Sequence, residues 1–202
     1  MRRRYKIFLN PRSQSPDWER KKRLVMRSRY KILNKNGIFF VTSTIVNWIP
    51  VFTDENYFNL LINTLKFYQV NNKLIIYAYV LMENHFHLII SNDNVSKIMQ
   101  SIKKYSAKKI IRNLEIDRKV EILKEFRNIK PDYKTTSNHQ VWQESFHPQE
   151  IISMEMLKQK IEYIHYNPVR KNLVINPEDW KYSSAMEYHT GKKGLLDISR
   201  IV

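Results

Sequence analysis

The sequence contains no cysteine, which excludes disulfide bonds, thiolate metal sites and cysteine nucleophiles. Chemistry is therefore left to histidine, carboxylate, amide and hydroxyl side chains. No segment approaches the roughly 20 apolar residues of a membrane-spanning helix. The amino-terminal residues, MRRRYKIFLNP, do not continue into the apolar core of a signal peptide. We therefore expect a cytoplasmic protein without a membrane-embedded segment.

Acidic residues are scarce relative to basic ones. The 202-residue chain carries 35 Lys and Arg against 19 Asp and Glu, a formal net charge of +16 at pH 7. Such an excess is typical of proteins that bind a phosphate-rich partner, and nucleic acid is the first candidate. An anionic membrane surface would also attract the chain. With 43% hydrophobic residues, the chain is long enough for one domain with a substantial core.

Hydrophobic periodicity predicts an α+β fold. The predicted strands cover residues 38–46, 74–82 and 85–90, with a last strand within 141–143 or 146–152. The predicted helices cover residues 54–68, 95–112 and 154–166. Ser153 is the predicted N-cap of the third helix. This order is that of a ferredoxin-like split βαβ fold, an antiparallel sheet with helices on one face and a further C-terminal helix.

The chain divides into three parts by composition. Residues 1–36 are polar and basic, and we interpret them as an extension, either a disordered or partly helical arm or an additional DNA contact. Residues 37–190 form the predicted domain, and residues 191–202 form a tail. Residues 115–140 are charged and then turn-rich, which predicts an excursion on the surface.

Two histidines one residue apart, His85 and His87, form a candidate metal site. Residues i and i+2 of a strand point to the same face, so Phe86, Leu88 and Ile90 take the core and both imidazoles face the opposite side. Imidazole is a common ligand of divalent metals. The spacing therefore predicts that both rings can bind one ion.

The predicted helix over residues 154–166 carries the second half of the candidate site. At about 100° per residue, its apolar side chains form one stripe, made up of Met154, Leu157, Ile161 and Ile164. Tyr163 lies nearly opposite this stripe, and Asn167 projects from about the same side one turn later. An amide oxygen of Asn167 would complete a metal shell there. His165 lies close to the stripe, and we expect it to be a packed or capping residue.

Four sequence blocks occur in an order that resembles a known family. They are YVLMENHFHL at residues 79–88, VWQESF at 141–146, EYIHYNPV at 162–169 and PEDWKYSS at 177–184. The blocks resemble those of the single-tyrosine HUH transposases, in particular the group that includes the REP-associated tyrosine transposases, over residues 37–188. Two departures are visible. Glu83 stands where relatives commonly have proline, and residues 115–140 are longer than in compact members.

The resemblance implies a ferredoxin-like fold and an enzyme that nicks and rejoins single-stranded DNA. It implies His85 and His87 as metal ligands, Tyr163 as the nucleophile and Asn167 as a polar group near the metal. The expected cofactor is Mg²⁺ or Mn²⁺, and because Mg²⁺ prefers oxygen ligands, two histidines suit Mn²⁺ at least as well. The expected intermediate is a 5′-phosphotyrosine link with a free 3′-hydroxyl.

The helix over residues 95–112 is the predicted binding surface for single-stranded or hairpin DNA. Lys104, Lys108 and Arg112 recur at four-residue spacing and lie along one side, although an ordinary solvated face has the same pattern. The full set of predicted DNA-binding residues is Lys103, Lys104, Lys108, Lys109 and Arg112. Stacking of bases on exposed aromatic side chains is expected to add to the phosphate contacts.

Two other functions stay open. One is a DNA- or RNA-binding regulator of the same fold that no longer cleaves, although all three catalytic residue types are present. The other is a metal-dependent hydrolase that uses water, for which Glu83 is the only adjacent acidic base. Tyr166 and Tyr105 are the competing nucleophiles. The sequence is compatible with a monomer or a homodimer.

Overall fold

Four antiparallel strands form one sheet at the centre of the fold. They are β1 (Ile38–Thr44), β2 (Ile75–Leu81), β3 (His85–Ser91) and β4 (Gln149–Ile151), in the spatial order β2-β3-β1-β4. All three neighbouring pairs are antiparallel. The computed structural model describes residues 37–131, 137–144 and 146–201, so the predicted basic extension over residues 1–36 lies outside the described residues.

Helices pack on both faces of this sheet. They are α1 (Glu55–Asn72), α2 (Val95–Ile116), α3 (Val120–Asn128), α4 (Met154–His165), α5 (Asn167–Arg170) and α6 (Ala185–Thr190). Helices α1 and α2 cover one face, and α4 packs against the other. Apart from α3, the order up to β4 is βαββαβ, which confirms the predicted ferredoxin-like arrangement. None of the helices in the described ranges is long and apolar enough to cross a membrane.

Polar side chains begin the helices at the positions where the apolar period begins. Asp54 Oδ1 accepts hydrogen bonds from the backbone amides of Asn56 (3.0 Å) and Tyr57 (3.3 Å), so α1 begins directly after it. Ser153 Oγ accepts a hydrogen bond from the Met156 amide at 3.2 Å. The predicted N-cap of α4 is therefore confirmed.

Strand β3 presents different side chains to the two faces. Phe86, Leu88 and Ile90 are buried in the main core with α1 and α2, as the alternation predicts. His85 and His87 consequently lie on the face that α4 covers. The two-residue period of one short strand thus separates the core from the candidate site.

A bulge at Tyr77 changes which residues of β2 face each side of the sheet, and both sides are covered. The register between β2 and β3 shifts between Ile76 and Ala78. Ile76 and Tyr79 therefore belong to the main core, whereas Ala78 and Val80 belong to the cluster under α4. A strand covered on both faces reads as a continuous apolar run.

A second, smaller apolar cluster joins α4 to the sheet. Its buried members are Ala78, Val80, Met82, Ile89, Leu157 and Ile164. Leu157 and Ile164 belong to the predicted stripe of α4, and Ile161 packs against the cluster. Met154, predicted to extend the stripe, is instead exposed, because the buried contacts begin one turn later at Leu157.

The excursion predicted over residues 115–140 contributes to the core within its described part. Helix α2 continues to Ile116, and α3 follows after a short turn. Phe126 of α3 is fully buried in the main core. The Gln140 amide donates a hydrogen bond to the Phe126 carbonyl at 2.8 Å, which fixes the return of the chain toward the sheet.

The last strand lies in the second of its two predicted positions. It is the short β4, which pairs with the start of β1. Trp142, in the first position, forms only an isolated bridge with Ile45. The Trp142 indole donates a hydrogen bond to Ser106 Oγ at 3.1 Å, so this residue fills the core between β1 and α2 instead of extending the sheet.

The chain end predicted as a tail makes contacts with β2. Leu196 is buried in the main core. The Ser199 amide donates a hydrogen bond to the Ile76 carbonyl at 2.8 Å, and the Leu195 amide donates to the Tyr79 hydroxyl at 3.1 Å. These bonds hold residues 195–199 beside the edge strand.

Replacement of Phe126 by alanine tests whether α3 is part of the core. Because the ring is fully buried, Phe126→Ala should lower the free energy of unfolding by about 3–5 kcal/mol in a denaturant titration. The matched control is Phe67→Ala in α1, where the ring is 52% exposed and the loss should stay below about 1 kcal/mol. Equal losses in the two variants would contradict the docking of α3.

Candidate active site

His85 and His87 lie side by side on the face of β3 that α4 covers. Their ring centroids are 4.9 Å apart, with an interplanar angle of 74°. Only 6% of His85 and 5% of His87 is exposed to solvent. His87 pairs with β1 and with β2, and His85 pairs with β1, so the separation of the rings is set by the sheet.

A second layer of polar residues orients both imidazoles. His85 Nδ1 lies 2.8 Å from Asn84 Oδ1, while Asn84 Nδ2 donates to the Trp48 carbonyl at 2.9 Å. Because the amide nitrogen is used in that second bond, Oδ1 is the acceptor and His85 Nδ1 is the donor. His87 Nδ1 lies 2.7 Å from Thr42 Oγ1. Each ring is anchored through Nδ1, and in the tautomer that donates from Nδ1 the Nε2 lone pair is available to a metal.

Both histidines are neutral at physiological pH. Burial, with a smaller contribution from the charge of Lys171, lowers the pKa of His85 to about 4. Burial is also the main reason that the pKa of His87 is well below its ordinary value, and the charges of His85 and Lys160 add to the effect. A neutral imidazole is the form that binds metal.

Tyr163 stands directly beside His87. The ring centroids are 5.3 Å apart in an edge-to-face arrangement. The side chain is 41% exposed, and it emerges from α4 off the buried stripe, as predicted. Arg170 lies over the outer side of the ring, with its guanidinium carbon 5.3 Å from the centroid, and donates a hydrogen bond to the Tyr163 carbonyl at 3.1 Å.

Asn167 is the first residue of α5, one turn beyond Tyr163. Its side chain is buried, and Pro168 occupies the next position of the helix. Within the described ranges, no hydrogen bond joins the Asn167 amide group to either histidine. The structure thus places Asn167 just after α4, the helix that carries Tyr163, whereas a direct link to the histidine pair stays a prediction.

The other two candidate tyrosines point elsewhere. Tyr166 lines a groove of about 360 Å³ on the far side of α4, together with His165, Tyr188 and His189. His165 itself is buried and bonded to Ser184 Oγ at 2.9 Å, so it is a packed residue, as expected. Tyr105 belongs to α2 on the opposite face of the sheet. Among the three tyrosines, Tyr163 alone has a described ring contact with the histidine pair.

The predicted DNA-binding cations lie in a different layer from the histidines. Lys104, Lys108, Lys109 and Arg112 are exposed on the outer side of α2, which covers the opposite face of the sheet. Lys103 is half-buried and donates a hydrogen bond to the Gln143 carbonyl at 2.6 Å. A spacing pattern within one helix does not show which face of the sheet that helix covers. The sequence alone therefore could not place the basic side chains of α2 relative to the histidines.

Several residues beside the histidines had no clear signal in the sequence. Phe40 stacks on His87 with centroids 5.4 Å apart, and Trp48 meets His85 edge-on at 5.6 Å. Lys160 and Lys171 supply positive charge, and Thr42 supplies the partner of His87. Of the residues that contact the histidines, Asn84 could have been predicted from the sequence as a partner of His85, because it immediately precedes it. The others depend on strand pairing and on the packing of α4.

The available donors fit a divalent metal that takes two nitrogen ligands from the protein. Two neutral imidazoles lie with ring centroids 4.9 Å apart, but in the described part of the chain no group of three or more His, Asp or Glu side chains could hold an ion. The protein would thus contribute two nitrogen ligands, with Asn167 as the predicted third group. The remaining positions of an ion would be open to oxygen ligands from outside the protein.

Comparisons with known proteins identify a family and a shared fold. The family model described as "Transposase IS200 like" matches residues 24–167. A solved structure of a REP-associated tyrosine transposase bound to a REP hairpin matches with a TM-score of 0.61 and 19% sequence identity, over 88% of this chain and 99% of that one. At that level of identity the match shows a shared fold. Sequence comparison finds no significantly similar curated protein.

Metal binding can be measured on the purified protein without any substrate. His85→Ala and His87→Ala should each remove tight Mn²⁺ binding in a calorimetric or electron paramagnetic resonance titration. Thr42→Val should weaken it by about 10- to 100-fold, because it removes the partner of His87 Nδ1 while preserving shape. His189→Ala, outside the site, is the control. Unchanged affinity in His87→Ala would rule out the proposed ligand pair.

Proposed function

Because the chain belongs to the IS200-like transposase family, we propose that it cuts and rejoins single-stranded DNA through a covalent link to Tyr163. The observation that carries this proposal is the contact between Tyr163 and His87, whose ring centroids are 5.3 Å apart. This contact places the partly exposed hydroxyl-bearing side chain of Tyr163 next to two neutral imidazoles. Such an arrangement suits phosphoryl transfer, in which a nucleophile and a charge-stabilising group act on the same phosphorus.

The proposed reaction is an in-line displacement at a phosphodiester. Tyr163 Oη attacks the phosphorus, the new phosphotyrosine bond forms at the 5′ side of the cut, and the bond to the 3′-oxygen breaks. The phenolic proton passes to water, and the leaving 3′-oxygen takes up a proton as a hydroxyl. Because the phosphodiester energy is retained in the phosphotyrosine link, a second 3′-hydroxyl can reverse the step and join two strands.

A neutral phenol is a weak nucleophile at pH 7, so the site must supply activation. An Mg²⁺ or Mn²⁺ ion held by His85, His87 and Asn167 would provide a Lewis acid for the scissile phosphate. The chain itself does the positioning. Asn84 and Thr42 orient the imidazoles, and the packing of α4 on the sheet sets Tyr163 beside them.

Single-stranded or hairpin DNA is the proposed substrate. The net charge of +16 favours a polyanion, and an enzyme that attacks an unpaired strand needs surfaces for unstacked bases. Trp48 offers one, since its indole is 50% exposed and lies edge-on to His85. Asn47 and Trp48 both have positive φ, at 51° and 57°, so the local backbone holds the indole outward at some conformational cost. The cations of α2 would contact a more distant part of a folded hairpin.

The two rival functions are less well supported. A water-using hydrolase needs a carboxylate near the histidines, and no Asp or Glu joins the pair in a metal-binding group among the described residues. The Glu83 side chain is exposed, and its carbonyl accepts hydrogen bonds from the Val51 and Phe52 amides in the turn before β3. A regulator that does not cleave DNA would not require an accessible tyrosine next to two neutral imidazoles.

Covalent capture of the cut strand tests the nucleophile. With a labelled hairpin oligonucleotide and Mn²⁺, the unaltered protein should yield a product of protein joined to DNA on a denaturing gel. Tyr163→Phe removes only the hydroxyl, so the adduct should disappear while thermal stability and DNA affinity barely change. Tyr166→Phe is the matched control and should form the adduct normally.

The products separate the competing assignments. An adduct that persists in Tyr163→Phe, or that peptide mapping locates on Tyr166, would refute the choice of nucleophile. Cleavage without an adduct would favour the hydrolase, and binding without cleavage would favour the regulator.

The salt dependence of binding tests the role of α2. Affinity for single-stranded DNA should fall with a log–log slope of about −0.7 per phosphate neutralised. Changing Lys104, Lys108 and Arg112 together to Gln should make that slope less negative by up to about 2. The control changes Lys73, Lys192 and Lys193 to Gln and removes the same charge from other surfaces. A similar effect of both triple variants would show that net charge matters and that the α2 face does not.

A further inference from the structure

Lys160 is a half-buried cation on the side of α4 that carries Tyr163. The two residues are three positions apart, so their side chains are neighbours on the helix surface. Lys160 Nζ lies 4.8 Å from the centroid of the Phe40 ring. Its stem therefore runs inward toward the sheet instead of extending into solvent.

The Phe40 ring connects Lys160 to the candidate active site. It stacks on His87 with centroids 5.4 Å apart and meets Tyr163 edge-on at 5.9 Å. The Phe40 ring thus contacts the Lys160 ammonium group, the Tyr163 ring and the His87 imidazole.

No described residue neutralises Lys160. None of the ion pairs among the described residues involves it, and burial lowers its pKa without an acidic neighbour to oppose the shift. A partly desolvated charge without a counterion is unfavourable unless a ligand supplies the opposite charge. The imidazoles beside it are neutral, so none of the described groups around the Phe40 ring supplies an anion.

We infer that Lys160 binds a non-bridging oxygen of the scissile phosphate and stabilises the charge that builds up there during attack by Tyr163. This inference rests on the proposed function and adds a second positive group to it. A divalent ion on the histidines and the Lys160 ammonium would repel each other in the absence of DNA. A phosphodiester would attract both positive groups and so offset part of that repulsion.

A purely structural lysine would behave differently. If Lys160 served only to pack on Phe40, its replacement would change protein stability and would affect all DNA ligands alike. If Lys160 binds the scissile phosphate, its replacement should weaken DNA binding only when that phosphate is charged. In the absence of DNA, the replacement should strengthen metal binding.

Rates of adduct formation provide the first test, using the full chain and a labelled hairpin oligonucleotide with Mn²⁺. Lys160→Met keeps the apolar stem and removes the charge, and it should slow adduct formation by about 100-fold. Lys160→Arg should recover most of that loss. Lys158→Met, an exposed position of the same helix, removes the same charge and should react at the normal rate.

Equilibrium binding provides the second test, in the Tyr163→Phe background and with a chelator present. Two oligonucleotides are compared, one with a phosphate and one with a neutral methylphosphonate at the cleaved linkage, which is located beforehand from the length of the free 3′-hydroxyl product of the unaltered protein. Lys160→Met should weaken binding of the phosphate form by about 10-fold and leave binding of the methylphosphonate form nearly unchanged. In the absence of DNA, the same variant should bind Mn²⁺ a few-fold more tightly.

The outcomes distinguish this inference from the function on which it rests. Absence of any adduct with the unaltered protein would overturn the proposed function and the role of Lys160 with it. A normal rate in Lys160→Met beside a normal Tyr163 adduct would overturn the inference alone. Equal losses on the phosphate and methylphosphonate forms, or weaker Mn²⁺ binding, would assign Lys160 to packing.

Discussion

β1 and β3 pair in a register that sets Thr42 opposite His87 and Thr44 opposite His85. The placement of both histidines depends on this pairing. It supplies the hydroxyl that anchors His87, sets the two rings on one face, and leaves Phe40 beneath them. A shift by one residue would turn both histidines into the main core, because side chains alternate between the faces of a sheet. The buried partners on the other face, Phe86 and Leu88, make that shift costly.

The electrostatic character of the site follows from what surrounds the histidines. Burial keeps both imidazoles neutral, and the nearby ionisable groups are the cations Lys160, Arg170 and Lys171. Sites that activate water with a metal normally hold carboxylates, which bind the ion and accept protons. Here the described neighbours attract anions instead. The arrangement suits a substrate that brings its own negative charge and a nucleophile that comes from the protein.

Much of the architecture could be predicted from local patterns. The alternation in β3 and the cap at Ser153 depend on neighbouring residues, so the sequence carried them directly. Features that depend on residues far apart in the chain could not be read in the same way. Phe126 is apolar within a charged segment, and only the docking of α3 shows that it fills the core. The bulge at Tyr77 changes which side of β2 faces α4, and no composition signal marks it.

The same limit applies within the site. The periodicity of α4 predicted that Tyr163 leaves the packed stripe, but its approach to His87 required the tertiary placement of the helix. The cations of α2 were predicted from their spacing, yet α2 lies on the opposite face of the sheet. Thr42 and Phe40 became visible only after β1 was paired with β3. Helical and strand periods thus identify faces, and the sheet order decides which faces meet.

The helix that carries Tyr163 rests on a separate apolar cluster of six buried residues, much smaller than the core beneath α1 and α2. Cooperative units of a native protein open with free energies that follow the apolar contacts they bury. Helix α4 should therefore undergo sub-global opening while the histidines stay fixed in the sheet. Backbone amides of α4 would then exchange with deuterium before those of β3. The protein would thus have a rigid half that holds the histidines and a more readily displaced half that holds the hydroxyl.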